Sequence, residues 1–143
     1  MTSSDRLVPA ITSPDLNAEL GIYNLATGEQ LAMIDLAASI QDWPADAAHL
    51  ANDLAVNKAG VAYVTDSGMK IVYKVDKYYR ATLLIDFGLD AEFGLNGIEY
   101  HPAGDLILAS PGTGELIRVP VDNPQRWALI NLDFPATSVD GIV

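Results

Sequence analysis

The sequence predicts an all-β fold assembled from repeated four-stranded units. Three observations carry the prediction. Runs rich in β-branched and aromatic residues alternate with clusters of Gly, Pro, Asn and Asp, at the spacing of antiparallel strands joined by tight turns. The chain also repeats itself. Asn52-Asp53-Leu54-Ala55-Val56 is answered 44 residues later by Asn96-Gly97-Ile98-Glu99-Tyr100, and after another 44 by Asp140-Gly141-Ile142-Val143. Finally, half of the 143 residues are apolar, enough for a packed core.

Taken in order, Arg6–Thr12 reads as a strand, with Pro9 placing it at an edge. Ser13-Pro14-Asp15 is a turn. Leu20–Leu25 and Leu31–Leu36 follow as strands, joined through Ala26-Thr27-Gly28-Glu29, where glycine permits a positive φ. These three strands match the last three of the next unit, so the first unit (6–36) lacks its first strand. Residues 37–50 form a connection, with at most a short helix opening at Pro44.

The second unit (51–87) is complete. Its strands are Ala51–Val56, Val61–Thr65, Lys70–Val75 and Ala81–Phe87, with turns at Lys58-Ala59-Gly60 and Asp66-Ser67-Gly68. The third (96–132) runs through Gly97–Tyr100, Asp105–Ser110, Glu115–Val121 and Trp127–Leu132. Asp140–Val143 would open a fourth. Four-stranded units repeating at this period are the blades of a β-propeller. About three blades make half a ring, because propellers typically close with four to eight. Open end blades expose strand edges and apolar faces. The chain is therefore expected either to pair with a second copy of itself, completing six blades, or to be part of a longer polypeptide. In the paired case Asp140–Val143 would supply the strand missing from the partner's first blade.

The formal net charge of −11 argues against electrostatic binding to nucleic acid or to an anionic membrane and suits a cation. There is no cysteine, hence no disulfide or thiolate chemistry. Met1-Thr2-Ser3-Ser4-Asp5-Arg6 is followed by no apolar leader segment, and no apolar run approaches the ~20 residues that span a bilayer. No phosphate loop, nucleophile elbow or His-rich zinc motif occurs.

The polar pairs that open successive blades (Asn52-Asp53, Asn96-Gly97, Asp140-Gly141), with the phrases Ala62-Tyr63-Val64-Thr65-Asp66-Ser67 and Leu95-Asn96-Gly97-Ile98, resemble the senescence marker protein/gluconolactonase family of regucalcin-like six-bladed propellers. The resemblance covers nearly the whole chain and about half of a full member. It implies a divalent cation, usually calcium, on the central axis, held by one Glu, one or two Asn and one Asp. Asn52, Asn96 and Asp140 match the Asn and Asp positions. The family's Glu would fall ahead of Met1, so this sequence departs from the pattern there.

The residue chemistry agrees independently. Innermost strands point their leading ends at one mouth of the channel, and amide and carboxylate oxygens are hard ligands, suited to calcium or magnesium rather than zinc. One chain offers three such side chains and one formal charge, where calcium takes six to eight oxygens. A two-fold pair would offer the ring Asn, Asn, Asp, Asn, Asn, Asp. The plainer role for these residues is to cap turns at strand starts. Asp53, where the other repeats have glycine, and His49, three residues before Asn52, are the candidate proton carriers. Trp43 and Phe93 line a pocket rim or pack in the core. Asp66 and Ser67 form turn bonds, and His101 is a turn residue. The expected function is a metal-dependent lactonase-type hydrolase. The alternatives are a non-catalytic module binding a small ligand or a partner protein, or an inactive structural half-propeller.

Overall fold

The structure is a computed structural model that describes residues 7–12, 14–40, 42–44 and 46–142. Eleven strands form three antiparallel sheets among these residues. The first contains β1 (Leu7–Thr12), β2 (Glu19–Asn24) and β3 (Gln30–Asp35). The second contains β4 (Ala51–Val56), β5 (Ala62–Asp66), β6 (Ile71–Val75) and β7 (Ala81–Asp86). The third contains β8 (Ile98–His101), β9 (Asp105–Ser110), β10 (Glu115–Pro120) and β11 (Ala128–Ile130). Each sheet is a meander in chain order, so every strand pairs with its sequence neighbour through a short turn. The architecture is half of a β-propeller.

Two matching bonds set the frame of the first sheet. Leu36 N donates to Ala18 O at 2.9 Å just past β3, as Phe87 N donates to Lys70 O at 3.2 Å just past β7. Thus β1, β2 and β3 stand where β5, β6 and β7 stand in the second sheet. No strand occupies the position of β4 in the first sheet among the described residues.

The core lies in two layers, one on each side of the middle sheet. Leu20, Ile22 and Leu36 pack against Val64, Ile71 and Tyr73. On the other side Tyr63, Val72 and Ile85 pack against Ile98, Leu106, Leu108 and Ile117. All five residues of β5 are buried, which explains why Ala-Tyr-Val-Thr-Asp lacks a simple in–out alternation. Each large apolar side chain enclosed this way contributes about 1.5–3 kcal/mol. The faces turned away from the middle sheet are less covered: Leu31 and Met33 are exposed on β3.

Two segments differ from the sequence expectation. The helical turn expected at Pro44 is instead a 3-10 turn at Ala37–Ser39, where Asp35 Oδ1 accepts from Ala38 N at 3.0 Å. After Pro44 one bond closes a turn, Ala47 N to Pro44 O at 3.0 Å. The next backbone donors are committed elsewhere: His49 N to Leu16 O and Leu50 N to Asp66 Oδ1. A helix could not form without giving those up. The connection passes so close to the β5–β6 turn that a Cβ on Gly68 would sit 2.1 Å from Ala48 O. The second segment is Asp140–Ile142, expected as a strand. It has no ladder partner among the described residues, and its backbone lies across Gly97, where an added Cβ would meet Asp140 O at 2.6 Å. Arg6 and Val143, the outer ends of two expected strands, lie outside the described residues.

Candidate functional site

The Asn-containing pairs sit on irregularities in the ladder. Ala51 is opposite Asp66 and Leu54 opposite Val64, so β4 carries an extra residue at Asn52-Asp53. Asn96 and Gly97 repeat the feature against one residue: Asn96 N donates to Ala109 O at 3.0 Å, and Ala109 N to Gly97 O at 2.9 Å. Such bulges bend a strand and re-aim its side chains. Since β4 and β8 lie side by side, Asn52 and Asn96 occupy matching positions at the heads of neighbouring inner strands. Asp140 joins them: Asn96 Nδ2 donates to Asp140 Oδ1 at 3.1 Å. Asn52 is half-buried.

Asp53 ties the two sheets together. Its Oδ2 accepts from Ile98 N at 2.9 Å and its Oδ1 from Leu54 N at 2.8 Å. Its own N–H donates to Thr65 Oγ1 at 3.1 Å. The Thr65 hydroxyl donates to Asn96 O at 2.7 Å, and the Ser67 hydroxyl to Leu95 O. The stretch 95–98 is therefore clamped by three side chains of the middle sheet. Both Asp53 oxygens hold backbone N–H groups, which suits a positioning role better than the proton-carrying role expected of it.

His49 stands in a buried network that the spacing of the sequence did not announce. Its Nδ1 lies 2.8 Å from Asp66 Oδ2. The Tyr73 hydroxyl donates to the same oxygen at 3.0 Å and is 3.0 Å from His49 Nδ1. Asp66 Oδ1 accepts from Leu50 N at 2.9 Å and Met69 N at 3.0 Å. Asp66 is fully buried and His49 only 4% exposed. With the carboxylate as common acceptor, the network assigns the proton to Nδ1 and the lone pair to Nε2. Burial first, and the Asp66 carboxylate second, push the Tyr73 phenol far above the usual tyrosine range. Trp43 meets the imidazole edge-on, with centroids 5.3 Å apart, and its buried Nε1 has no partner among the described residues.

The structure thus brings Asn96 and Asp140 into contact, sets Asn52 at the matching place on β4, and ties His49 to Asp66. Asp66 and Tyr73 were missed as partners of His49, because residues 17 and 24 positions away meet it only through the β5–β6 pairing. Phe93 is a core residue at 8% exposure. His101 accepts from Ala103 N within its own turn.

As metal ligands, Asn52, Asn96 and Asp140 offer oxygens of the type a hard cation takes, the two Asn at the heads of β4 and β8 and Asp140 in contact with Asn96. They fit as part of a shell and fall short of the six to eight oxygens of calcium. The described residues contain no group of three His, Asp or Glu side chains arranged for a metal.

No protein-family model matches the chain, and no curated protein matches it. Solved structures do. A streptogramin B lyase superposes with a TM-score of 0.63 at 16% identity, over 99% of this chain and 46% of that one. A catalytically inactive His-to-Ala variant of virginiamycin B lyase from Staphylococcus aureus, with quinupristin, gives 0.62 at 14% identity, over 99% and 46%. A luciferin-regenerating enzyme gives 0.55 at 17%, over 98% and 50%. The likeness is one of fold. The chain spans about half the length of these neighbours or slightly less.

Proposed function

We propose that the chain forms half of a propeller hydrolase of the lactonase type, with its site at the channel mouth where β4 and β8 begin. The observation that carries the reading is the His49–Asp66 pair: a buried carboxylate on Nδ1 leaves Nε2 as the proton-accepting nitrogen, three residues ahead of Asn52. Fold neighbours that are enzymes support it. Asn52, Asn96 and Asp140 would hold a divalent cation, calcium by donor type. When bound, that cation supplies Lewis-acid polarisation of an ester carbonyl. His49 Nε2 takes the proton of the attacking water, and Asp66 fixes the orientation of the ring through Nδ1. Asp53, Thr65 and Ser67 hold residues 95–98, and with them Asn96, in place.

In this reading a second copy closes the ring and completes the donor set. The exposed Leu31 and Met33 would be covered in the pair. Light scattering tests the pairing: a monomer at micromolar concentration refutes it. The hydrolase reading is tested by a lactone panel with and without chelator, beside calcium calorimetry. Chelator-sensitive turnover, lost in His49→Gln, is expected, with calcium heat reduced in Asp140→Ala. Absence of both turnover and calcium heat would leave the reading without support.

A further inference from the structure

The second and third sheets share an open cleft of about 390 Å³. Its elements belong to the outer half of each sheet: the segment after β7, the start of β10, and β11 with the residue before it. Phe87, Phe93 and Trp127 form its apolar wall. The rings meet nearly at right angles: 78° for Phe87–Phe93, 78° for Phe87–Trp127 and 72° for Phe93–Trp127, with centroids 5.2, 5.4 and 5.6 Å apart. Three mutually perpendicular rings make a corner rather than a flat stack.

Asp90, Glu92 and Glu115 line the same cleft. The neighbouring cation, Lys70, directs its ammonium to the carbonyls of Leu89 and Ala91, bracing the loop that carries two of these acids. Glu115 accepts from the Thr113 hydroxyl at 2.9 Å, which fixes its carboxylate. The lining carries three carboxylates against the single ammonium of Lys70, an imbalance that a neutral apolar ligand would not answer. A hydrated metal ion would gain nothing from the rings.

We propose that this cleft binds an organic cation, a ligand with an alkylated ammonium head. The methyl groups bury against the aromatic corner, the positive charge faces the ring electrons of Trp127, and the carboxylates supply the counter-charge. Trp127 is 38% exposed, leaving part of its ring for the ligand.

The test uses choline as the probe and uncharged 3,3-dimethylbutanol as its isostere. The chain has two tryptophans, so Trp43→Phe leaves Trp127 as the sole indole reporter, and calorimetry on the unsubstituted chain repeats the measurement without that change. Choline should produce a saturable emission change and heat, weakening as salt rises. The isostere should bind at least about tenfold more weakly, as should choline to Glu92→Gln/Glu115→Gln. No saturable choline signal in either measurement overturns the proposal. Equal binding of the isostere, or full affinity in the double variant, overturns it too, reducing the cleft to an apolar crevice.

Discussion

Replacing Asp66 by alanine should be among the most damaging single changes in the chain. The carboxylate is fully buried and receives Leu50 N, Met69 N, the Tyr73 hydroxyl and His49 Nδ1. Removing it strands four donors in a core between two sheets. Truncating one member of a buried charged network costs about 3–5 kcal/mol, and each hydrogen bond to a charged acceptor contributes roughly 1.5–3 kcal/mol. The bonds share one group, so the total stays below their sum. Asparagine offers an informative contrast. Its amide oxygen can still take the Leu50 and Met69 N–H groups. Its NH₂ can donate to Tyr73 and to an imidazole that has moved its proton to Nε2. Asp66→Asn should therefore cost only about 1–2 kcal/mol, while removing the lone pair from Nε2. Equilibrium urea unfolding separates the two. With m near 2 kcal/mol/M, the alanine variant should lose about 2 M in midpoint and the asparagine variant less than half that. Under the proposed function, Asp66→Asn should lose activity out of proportion to its stability. An alanine variant within about 0.5 kcal/mol of the parent would refute the network as a stabilising unit.

Other outcomes follow from the same geometry. Tyr73 keeps its proton in the fold but gives it up in the unfolded chain above the ordinary tyrosine value of 10.0. Stability should be level with respect to this group below pH 10 and fall above it. Absorbance at high pH should show fewer than the six tyrosines ionising before unfolding, and Tyr73→Phe should flatten the decline. Asp53→Ala removes the acceptor of Ile98 N and should cost about 1.5–3 kcal/mol. Hydrogen exchange should show the Ile98 amide losing protection first. Gly97→Ala places a Cβ 2.6 Å from Asp140 O, which must move away. Proteolytic cleavage between residues 136 and 142 should accelerate, whereas Gly94→Ala, whose Cβ meets nothing within 4 Å, should not change it.

Much of the architecture was legible because a blade is written locally. Turn residues end each strand, and the two-residue period or unbroken burial marks its faces; β4 and β9 span the runs that alternation and turn chemistry delimit. The interval between Asn52, Asn96 and Asp140 likewise exposed the repeat. What stayed hidden depends on contacts between sheets. The segment after Pro44 has helix-compatible residues, but its donors are claimed by Leu16 and Asp66, and no local pattern reveals a claim of that kind. The role of Asp53 was likewise invisible, since its partner Ile98 lies 45 residues on. Asp66 carried a turn signature and does cap Met69 N, yet its second oxygen faces His49 and Tyr73, which only the β5–β6 register brings near.

The extra residue at the head of β4, and the matching one before β8, have a consequence for how such a chain can change. Within a regular strand each side chain must be either inward or outward, and a polar residue in the wrong phase disturbs a core layer. A bulged residue is exempt from that phase. Asn52 and Asn96 can be exchanged for other side chains while Leu54 and Ile98, two residues on, keep packing in their layers. Their replacement is therefore cheap for the scaffold. The irregularity separates the chemistry presented at the mouth from the stability of the blade beneath it, so that new ligands or substrates can be explored there without first rebuilding the fold.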